Sequence, residues 1–307
     1  MMRRQLPSCV ISWRKAECDM AIVRMVVTAL VLFSAAGSVA ARETVLIDTA
    51  VLAERLAKGG FALIDAENAT DFIRAHIPGA VNLYYMDLED ADENAKTGRP
   101  IFPQLAATRF GDLGISNDTE VVVYDSGNGR AASAVWYILT FIGHDKVRIL
   151  DGGFRKWVKE ARPVTQETSG RAKVRYVVKR PRPDWVLTTA QMQVAEAVLV
   201  DARSLAEYAG KEAGGARQAG HIPGAVSLPW DRLAGTLATF KDEATLRREF
   251  ARAGFTPDKE IITYCNPGLG RSTFLLLALT LLGYDKVKVY PGSYLEWAAD
   301  PARPIAR

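Results

Sequence analysis

The stretch Ile261-Ile-Thr-Tyr-Cys265-Asn-Pro-Gly-Leu-Gly-Arg271-Ser-Thr-Phe274 changes character twice. Four β-favouring residues stop at Cys265, and Pro267, Gly268 and Gly270 forbid a continued strand. From Phe274 to Leu282 the chain is almost all leucine and alanine. The order predicts strand, glycine-rich turn and apolar helix, with a thiol at the helix N-terminus. Unpaired N–H groups of the loop and first helical turn, with the positive end of the helix dipole, favour thiolate over thiol there. A cysteine without such a setting reads first as a small buried hydrophobe. The strand-Cys-Gly loop-helix order, with Arg271 behind it, makes Cys265 a candidate nucleophile.

The other half of the chain carries the same pattern without the thiol. Segments match in the same order at an offset of about 140 residues. Ala62-Leu-Ile-Asp65-Ala matches Val198-Leu-Val-Asp201-Ala, and His76-Ile-Pro-Gly-Ala-Val-Asn-Leu83 matches His221-Ile-Pro-Gly-Ala-Val-Ser-Leu228. Val121-Val-Val-Tyr-Asp125 pairs with Ile261-Ile-Thr-Tyr-Cys265, and Gly143-His-Asp-Lys-Val147 with Gly283-Tyr-Asp-Lys-Val287. Asp151-Gly-Gly-Phe-Arg-Lys-Trp157 closes the series against Pro291-Gly-Ser-Tyr-Leu-Glu-Trp297. Asp125 therefore occupies the place of Cys265. Because both halves keep His-Ile-Pro-Gly-Ala, His76 and His221 are expected to fix a turn rather than to act on substrate. His144 is expected in a surface turn, and Trp157 and Trp297 in the core.

Each half alternates short β-rich runs with helical ones. In the second half the expected strands are 198–201, 225–228, 260–264 and 287–290, and the expected helices 205–208, 245–253 and 271–282. Helices are expected to begin at Thr49 and Thr189, each a cap candidate ahead of an apolar run. Such alternation predicts an α/β fold, a mostly parallel sheet with helices on both faces, built twice. Ligand sites in such sheets lie at the carboxyl ends of strands, where Cys265 falls.

At 307 residues, 49% hydrophobic and 24% charged, the chain is long enough and apolar enough for two globular domains. Its formal charge of +4 is small for that length and points to neither nucleic acid nor a membrane surface. Arg24, the apolar run Met25 to Phe33 and the small residues Ser34 to Ala41 read as a cleavable signal peptide, with export to the periplasm or beyond expected. The apolar run is too short for a bilayer span, so no stable membrane anchor is expected. With residues 1–41 as leader, Cys9 and Cys18 are removed and Cys265 is the only cysteine left. A lone thiol in an oxidising compartment calls for a use. The remaining divisions are a first domain over 42–163, an extended basic linker over 164–185 with a possible short strand at Val174–Val178, and a second domain over 186–307.

These residues resemble the tandem-domain rhodaneses, the thiosulfate and 3-mercaptopyruvate sulfurtransferases, from about Thr44 to the C-terminus. The resemblance is carried by the two His-Ile-Pro-Gly-Ala-Val segments, by Leu150-Asp-Gly-Gly-Phe-Arg-Lys-Trp157 and by a cysteine loop in the second half alone. It implies two rhodanese-like domains, the first non-catalytic with Asp125 in the cysteine place. It also implies a ping-pong transfer of sulfane sulfur from thiosulfate or 3-mercaptopyruvate, through a Cys265 persulfide, to cyanide or a thiol. The loop N–H groups of Gly268, Leu269 and Gly270 are expected to hold the anionic sulfur, and Asn266 to present its amide to the substrate. Arg203 corresponds to an arginine that meets substrate anions in the family. Arg271, a cation at the wrong end of a helix dipole, is a second candidate for an anion. Lys211 and Arg217 lie in a loop expected near the site. The partners are small molecules, no cofactor or metal is expected, and a monomer is expected. Asn266-Pro267-Gly268 follows neither the basic loop of thiosulfate enzymes nor the Gly-Ser-Gly of mercaptopyruvate enzymes. A second arginine of the latter falls at Ala209, which leans the reading to thiosulfate. Two rivals remain: a phosphatase or arsenate reductase-like enzyme, from the Cys-x5-Arg spacing of Cys265 and Arg271, and a non-catalytic sulfur carrier.

Overall fold

The structure, a computed structural model, describes residues 45–89, 103–179, 181–192 and 197–307. The leader and its cleavage sites lie outside the described residues. The first half runs β1 (Leu46–Ile47), α1 (Thr49–Leu56), β2 (Phe61–Asp65), α2 (Ala69–Arg74), β3 (Ala80–Asn82), α3 (Pro103–Asp112), β4 (Glu120–Tyr124), α4 (Arg130–Phe141), β5 (Val147–Leu150) and α5 (Gly153–Lys159). The second runs α6 (Thr189–Met192), β6 (Val198–Asp201), α7 (Leu205–Tyr208), β7 (Val226–Ser227), α8 (Glu243–Arg252), β8 (Ile261–Tyr264), α9 (Arg271–Leu281), β9 (Val287–Val289) and α10 (Ser293–Ala299). The sheets are ordered β1-β5-β4-β2-β3 and β7-β6-β8-β9, and the pairings between these strands are all parallel. Every residue of β2 and β8 is buried, as a parallel sheet covered on both faces requires. Val186 bridges Val289 in parallel, the second sheet's counterpart of β1 against β5.

The expected elements sit within a residue or two of their places. At both predicted helix starts the threonine is the first helical residue rather than the cap. Before α1 the cap is Asp48, whose carboxylate accepts from the Ala50 N–H at 2.8 Å.

The repeated histidines do the turn work expected of them. His76 stacks on Phe72 at 3.8 Å and His221 on Tyr208 at 3.7 Å, and each Nδ1 lies 2.8 Å from the carbonyl oxygen of its stacking partner. Each also pairs antiparallel with the segment that ends its half, His76 with Thr165 and His221 with Ala306. Trp157 and Trp297 lock the same segments from the core, their Nε1–H groups donating to Pro163 O at 2.7 Å and Pro304 O at 2.9 Å.

Two expectations change. Val174–Val178 forms no strand: the Val174 N–H donates to Gly111 O at 2.9 Å and the Val177 N–H to the Asn117 side chain at 3.0 Å, so this segment is strapped along the first half. His144 is not at the surface but buried, with Nδ1 3.2 Å from the Tyr176 hydroxyl of that strap. Burial lowers its pKa. The turn chemistry of Gly143-His-Asp was legible; the strap that covers it was not.

The helices that follow the two glycine loops, α4 and α9, pack against each other, and one apolar core runs from the first sheet through both into the second. That double covering explains why α9 is apolar all round: Ser272 to Leu279 are buried, as a helix covered on every side requires. Ser133 and Thr273 meet across this contact with hydroxyls 3.2 Å apart.

Candidate active site

Strand β8 delivers Cys265 at its carboxyl end, where the thiol is fully buried. The Cys265 N–H donates to Ser293 Oγ at 3.0 Å, and Ser293 Oγ donates to Tyr290 O at 2.9 Å. Ser293 makes this bridge from a left-handed backbone, φ +51°, a conformation that costs a non-glycine residue about 1 kcal/mol or more. The Cys265 O accepts from the Tyr294 N–H at 2.9 Å. One strained turn thus clamps both backbone polar groups of the cysteine. Gly268 is required by close approach, because a Cβ there would run into the Pro291 backbone.

The thiol itself faces oxygen. Sγ contacts the carbonyl oxygens of Pro267 and of Leu269, the latter at 3.8 Å, and the Ser272 hydroxyl at 3.5 Å. The Gly270 N–H, one of the expected donors, is taken by Thr273 Oγ1 at 3.0 Å. The groups that meet Sγ are thus carbonyl oxygens and a hydroxyl rather than the loop N–H groups expected there.

Its twin is arranged around an acceptor. Asp125 is buried, Oδ1 accepting from the Gly127 N–H at 2.8 Å and the Gly129 N–H at 3.1 Å, and Oδ2 from the Ala132 N–H at 3.2 Å. Burial pushes this carboxyl up, against the three N–H groups that favour its charged form. The first-half loop is also shorter, four residues (126–129) between Asp125 and Arg130 against five (266–270) between Cys265 and Arg271.

Behind the cysteine loop lies a buried ionic network that joins three of the expected site residues. Arg203 is fully buried: its Nε lies 3.0 Å and Nη2 2.6 Å from the Asp201 carboxylate, Nη2 also donates to Gly220 O at 2.7 Å, and Nη1 donates to Asn266 Oδ1 at 3.3 Å. Asn266 Nδ2 donates to Glu207 Oε1 and to Gly214 O, both at 2.7 Å. Arg271 grips Glu207 with both terminal nitrogens, at 2.6 and 3.2 Å. Burial works against the Glu207 carboxylate, but the Arg271 pair and the Ser204 N–H outweigh it and hold its pKa below the ordinary value. The two arginines expected to meet an anion are therefore each matched to an acid, and the Asn266 amide is spent joining them. The network flanks the cysteine loop at both ends, through Asn266 and Arg271. Lys211 and Arg217 are exposed on the loop whose Gly214 receives Asn266.

Glu207, Ser272, Ser293 and the first-half groups near the loop were not singled out from sequence. Glu207 had a signal: Ser204-x-x-Glu207 is a capping-box pattern, and both of its hydrogen bonds form, at 3.2 and 3.0 Å. Among the described residues no group of three His, Cys, Asp or Glu is placed to hold a metal, and no helix is long and apolar enough to cross a membrane.

Comparison with known proteins identifies the domain that is built twice. The model of the rhodanese-like domain matches twice, over residues 48–160 and 185–300. A Saccharopolyspora erythraea protein named "Putative thiosulfate sulfurtransferase" is 35% identical over 279 residues, covering 86% of this chain and 96% of that one. The "Sulfur carrier protein TtuD" of Thermus thermophilus is 34% identical, covering 87% and 98%. The "Thiosulfate sulfurtransferase" of Pseudomonas aeruginosa is 31% identical, covering 85% and 96%. The anaerobic ergothioneine biosynthesis enzyme of Chlorobium limicola, solved with trimethyl histidine, shares the fold at TM-score 0.77 and 22% identity, over 85% of this chain and 69% of that one. With the domain matched in both halves and the thiol in the second alone, the chain belongs to the rhodanese family of sulfurtransferases.

Proposed function

We propose that the protein is a thiosulfate sulfurtransferase that works through a Cys265 persulfide. The observation that carries this reading is the pair of twin loops: the same strand-loop-helix scaffold presents a buried acceptor on backbone N–H groups in one half and a sulfur in the other. After the thiol proton leaves to water, the Cys265 electron pair forms a bond to the outer sulfur of thiosulfate. The sulfur–sulfur bond of the donor breaks and its pair leaves on sulfite. Cyanide or a thiolate then attacks the outer sulfur of the persulfide, the S–S bond breaks, and the pair returns to Cys265. Ionisation asks the loop to turn N–H groups toward Sγ in place of the Pro267 and Leu269 carbonyls, and the twin loop is an example of such an arrangement. Thiosulfate is preferred over 3-mercaptopyruvate because Ala209 stands where the keto-acid enzymes carry an arginine.

Purified protein given thiosulfate and cyanide is expected to yield thiocyanate and sulfite in equal amounts. Phosphate release from a phosphate ester, without thiocyanate, contradicts the reading and favours the Cys-x5-Arg rival. A carrier role is favoured by the burial of Cys265 and by the name of the Thermus relative. It predicts a persulfide that small acceptors discharge slowly. Export by the leader completes the proposal, and N-terminal sequencing of the mature protein tests it: a start near Arg42 is expected, and a retained leader contradicts it.

A further inference from the structure

The network behind Cys265 is electrically closed, two guanidiniums against two carboxylates, yet the donor in the proposed reaction is a dianion. The missing cation stands on the other half of the molecule. Arg130 opens α4, and a Cβ built on Gly270 of the cysteine loop would lie 3.9 Å from the Arg130 Cβ and 3.8 Å from the Tyr85 ring. The Arg130 guanidinium lies over the Trp230 ring at 5.3 Å. Its Nε is buried with no hydrogen-bond partner, and among the described residues no carboxylate pairs with it. Tyr85 and Arg130 of the first half thus both border the cysteine loop at Gly270. The loop is held to α4 next door, where the Ser133 hydroxyl meets Gly270 O at 3.3 Å and Arg130 O at 2.8 Å.

A cation in the first turn of a helix opposes the dipole, and a guanidinium nitrogen buried without an acceptor adds a desolvation cost. Both costs disappear when an anion occupies the space in front of it. Arg271, the sequence twin of Arg130, carries the same dipole penalty but relieves it on Glu207; among the described residues Arg130 has no such acid. We infer that Arg130, supplied by the half without the thiol, is the cation that binds the oxyanion end of the sulfur donor at Cys265, a role Arg203 and Arg271, each paired with an acid, are not free to take. Trp230 holds the guanidinium by its face, leaving the N–H edge for the anion. The inference rests on the proposed sulfur transfer for its substrate, and it gives the first half a direct part in the site.

The test compares the full chain with Arg130→Met, Arg130→Lys and Arg217→Met. Arg217→Met removes one exposed positive charge and serves as the control for a general field. Thiosulfate KM is measured in each, and thiosulfate binding by calorimetry in a Cys265→Ser background. Arg130→Met is expected to raise both KM and Kd roughly tenfold to a hundredfold, the loss expected for a charge-assisted pair. Arg130→Lys keeps the charge without the fork and is expected to lose less, and also serves should the methionine variant fold poorly. Arg217→Met is expected to stay within about twofold, since exposed charges are screened. KM and Kd unchanged in Arg130→Met while the parent protein transfers sulfur overturns the inference and leaves the proposed function standing. Equal losses in Arg130→Met and Arg217→Met also overturn it. Thiosulfate bound and lost with Arg130→Met, in a protein that transfers no sulfur, supports the anion site and overturns the proposed reaction. No binding to the Cys265→Ser chain overturns the inference, and the proposed function falls with it only if the parent chain also forms no thiocyanate.

Discussion

At φ +51°, Ser293 holds a backbone that the first half entrusts to Gly153, at φ +54°. The hydroxyl explains the exchange, since the half that carries the thiol also carries the side chain that bridges the Cys265 N–H to Tyr290 O. In Ser293→Gly the strain is relieved and the bridge lost, so stability is expected to change by less than about 1 kcal/mol. Sulfur transfer is expected to slow about tenfold, the effect of one hydrogen bond on the position of the nucleophile. Thermal melts and initial rates check this together, and an unchanged rate contradicts the positioning role. Cys265 was readable because strand, glycine loop and helix are each written in local composition. Ser293 was not, because its partner is 28 residues away and a serine in a Pro-Gly-Ser turn has no signature of its own. Arg203 and Arg271 were readable as charges near the site, but the commitment of each to Asp201 and Glu207 is a matter of side-chain direction, which spacing does not carry.

The ends of β2 and β6 show what one exchange does to an element. Each strand closes on an aspartate bonded to the tyrosine that ends the neighbouring strand, Asp65 to Tyr124 and Asp201 to Tyr264. Two residues on, the first half has Glu67 where the second has Arg203. Asp201 is neutralised; Asp65 is not, and burial, with small additions from the Glu67 and Asp125 charges, pushes its pKa up to about 6 against the bonds from the Glu67 N–H and Tyr124 hydroxyl. A carboxyl raised in the folded state favours the fold fully below its unfolded value, and that stability is lost as pH rises through the folded one. From 3.8 to about 6 the loss amounts to at most about 3 kcal/mol. Asp65→Asn removes the titration, so its stability relative to the parent is expected to improve by up to that amount between pH 4 and pH 7. Urea unfolding at the two pH values checks it, and a difference that does not change with pH contradicts it. The order and identity of the second half's elements were legible, because period and breakers are local. The strap over residues 174–178 was not: its N–H groups are satisfied by Gly111 and Asn117, on the body it crosses rather than within itself.

At the scale of the whole molecule, the two halves are joined through the helices that their glycine loops launch. Phe274 of α9 stacks on Phe240 at 4.6 Å and meets Trp230 edge-on at 5.6 Å, and its ring fills the space in front of Gly129, at φ +76°. A Cβ on Gly129 would overlap that ring, so Gly129→Ala is expected to cost about 2–4 kcal/mol, backbone strain and overpacking together. Gly79→Ala, at φ +82° with open space around it, is expected to cost only about 1 kcal/mol. Equal losses in the two variants, read from thermal or denaturant melts, contradict the packing argument. The repeat made two copies of one fold visible in the sequence; the contact between the copies was hidden, since a helix apolar all round does not say what covers it. The proposed function has this arrangement deliver sulfur to one thiol, Cys265. The most direct measurement is the intact mass of the protein after incubation with thiosulfate. A gain of one sulfur atom, absent in Cys265→Ser and discharged by cyanide, is the predicted result; no gain in the parent chain, or a gain that survives in Cys265→Ser, contradicts the account.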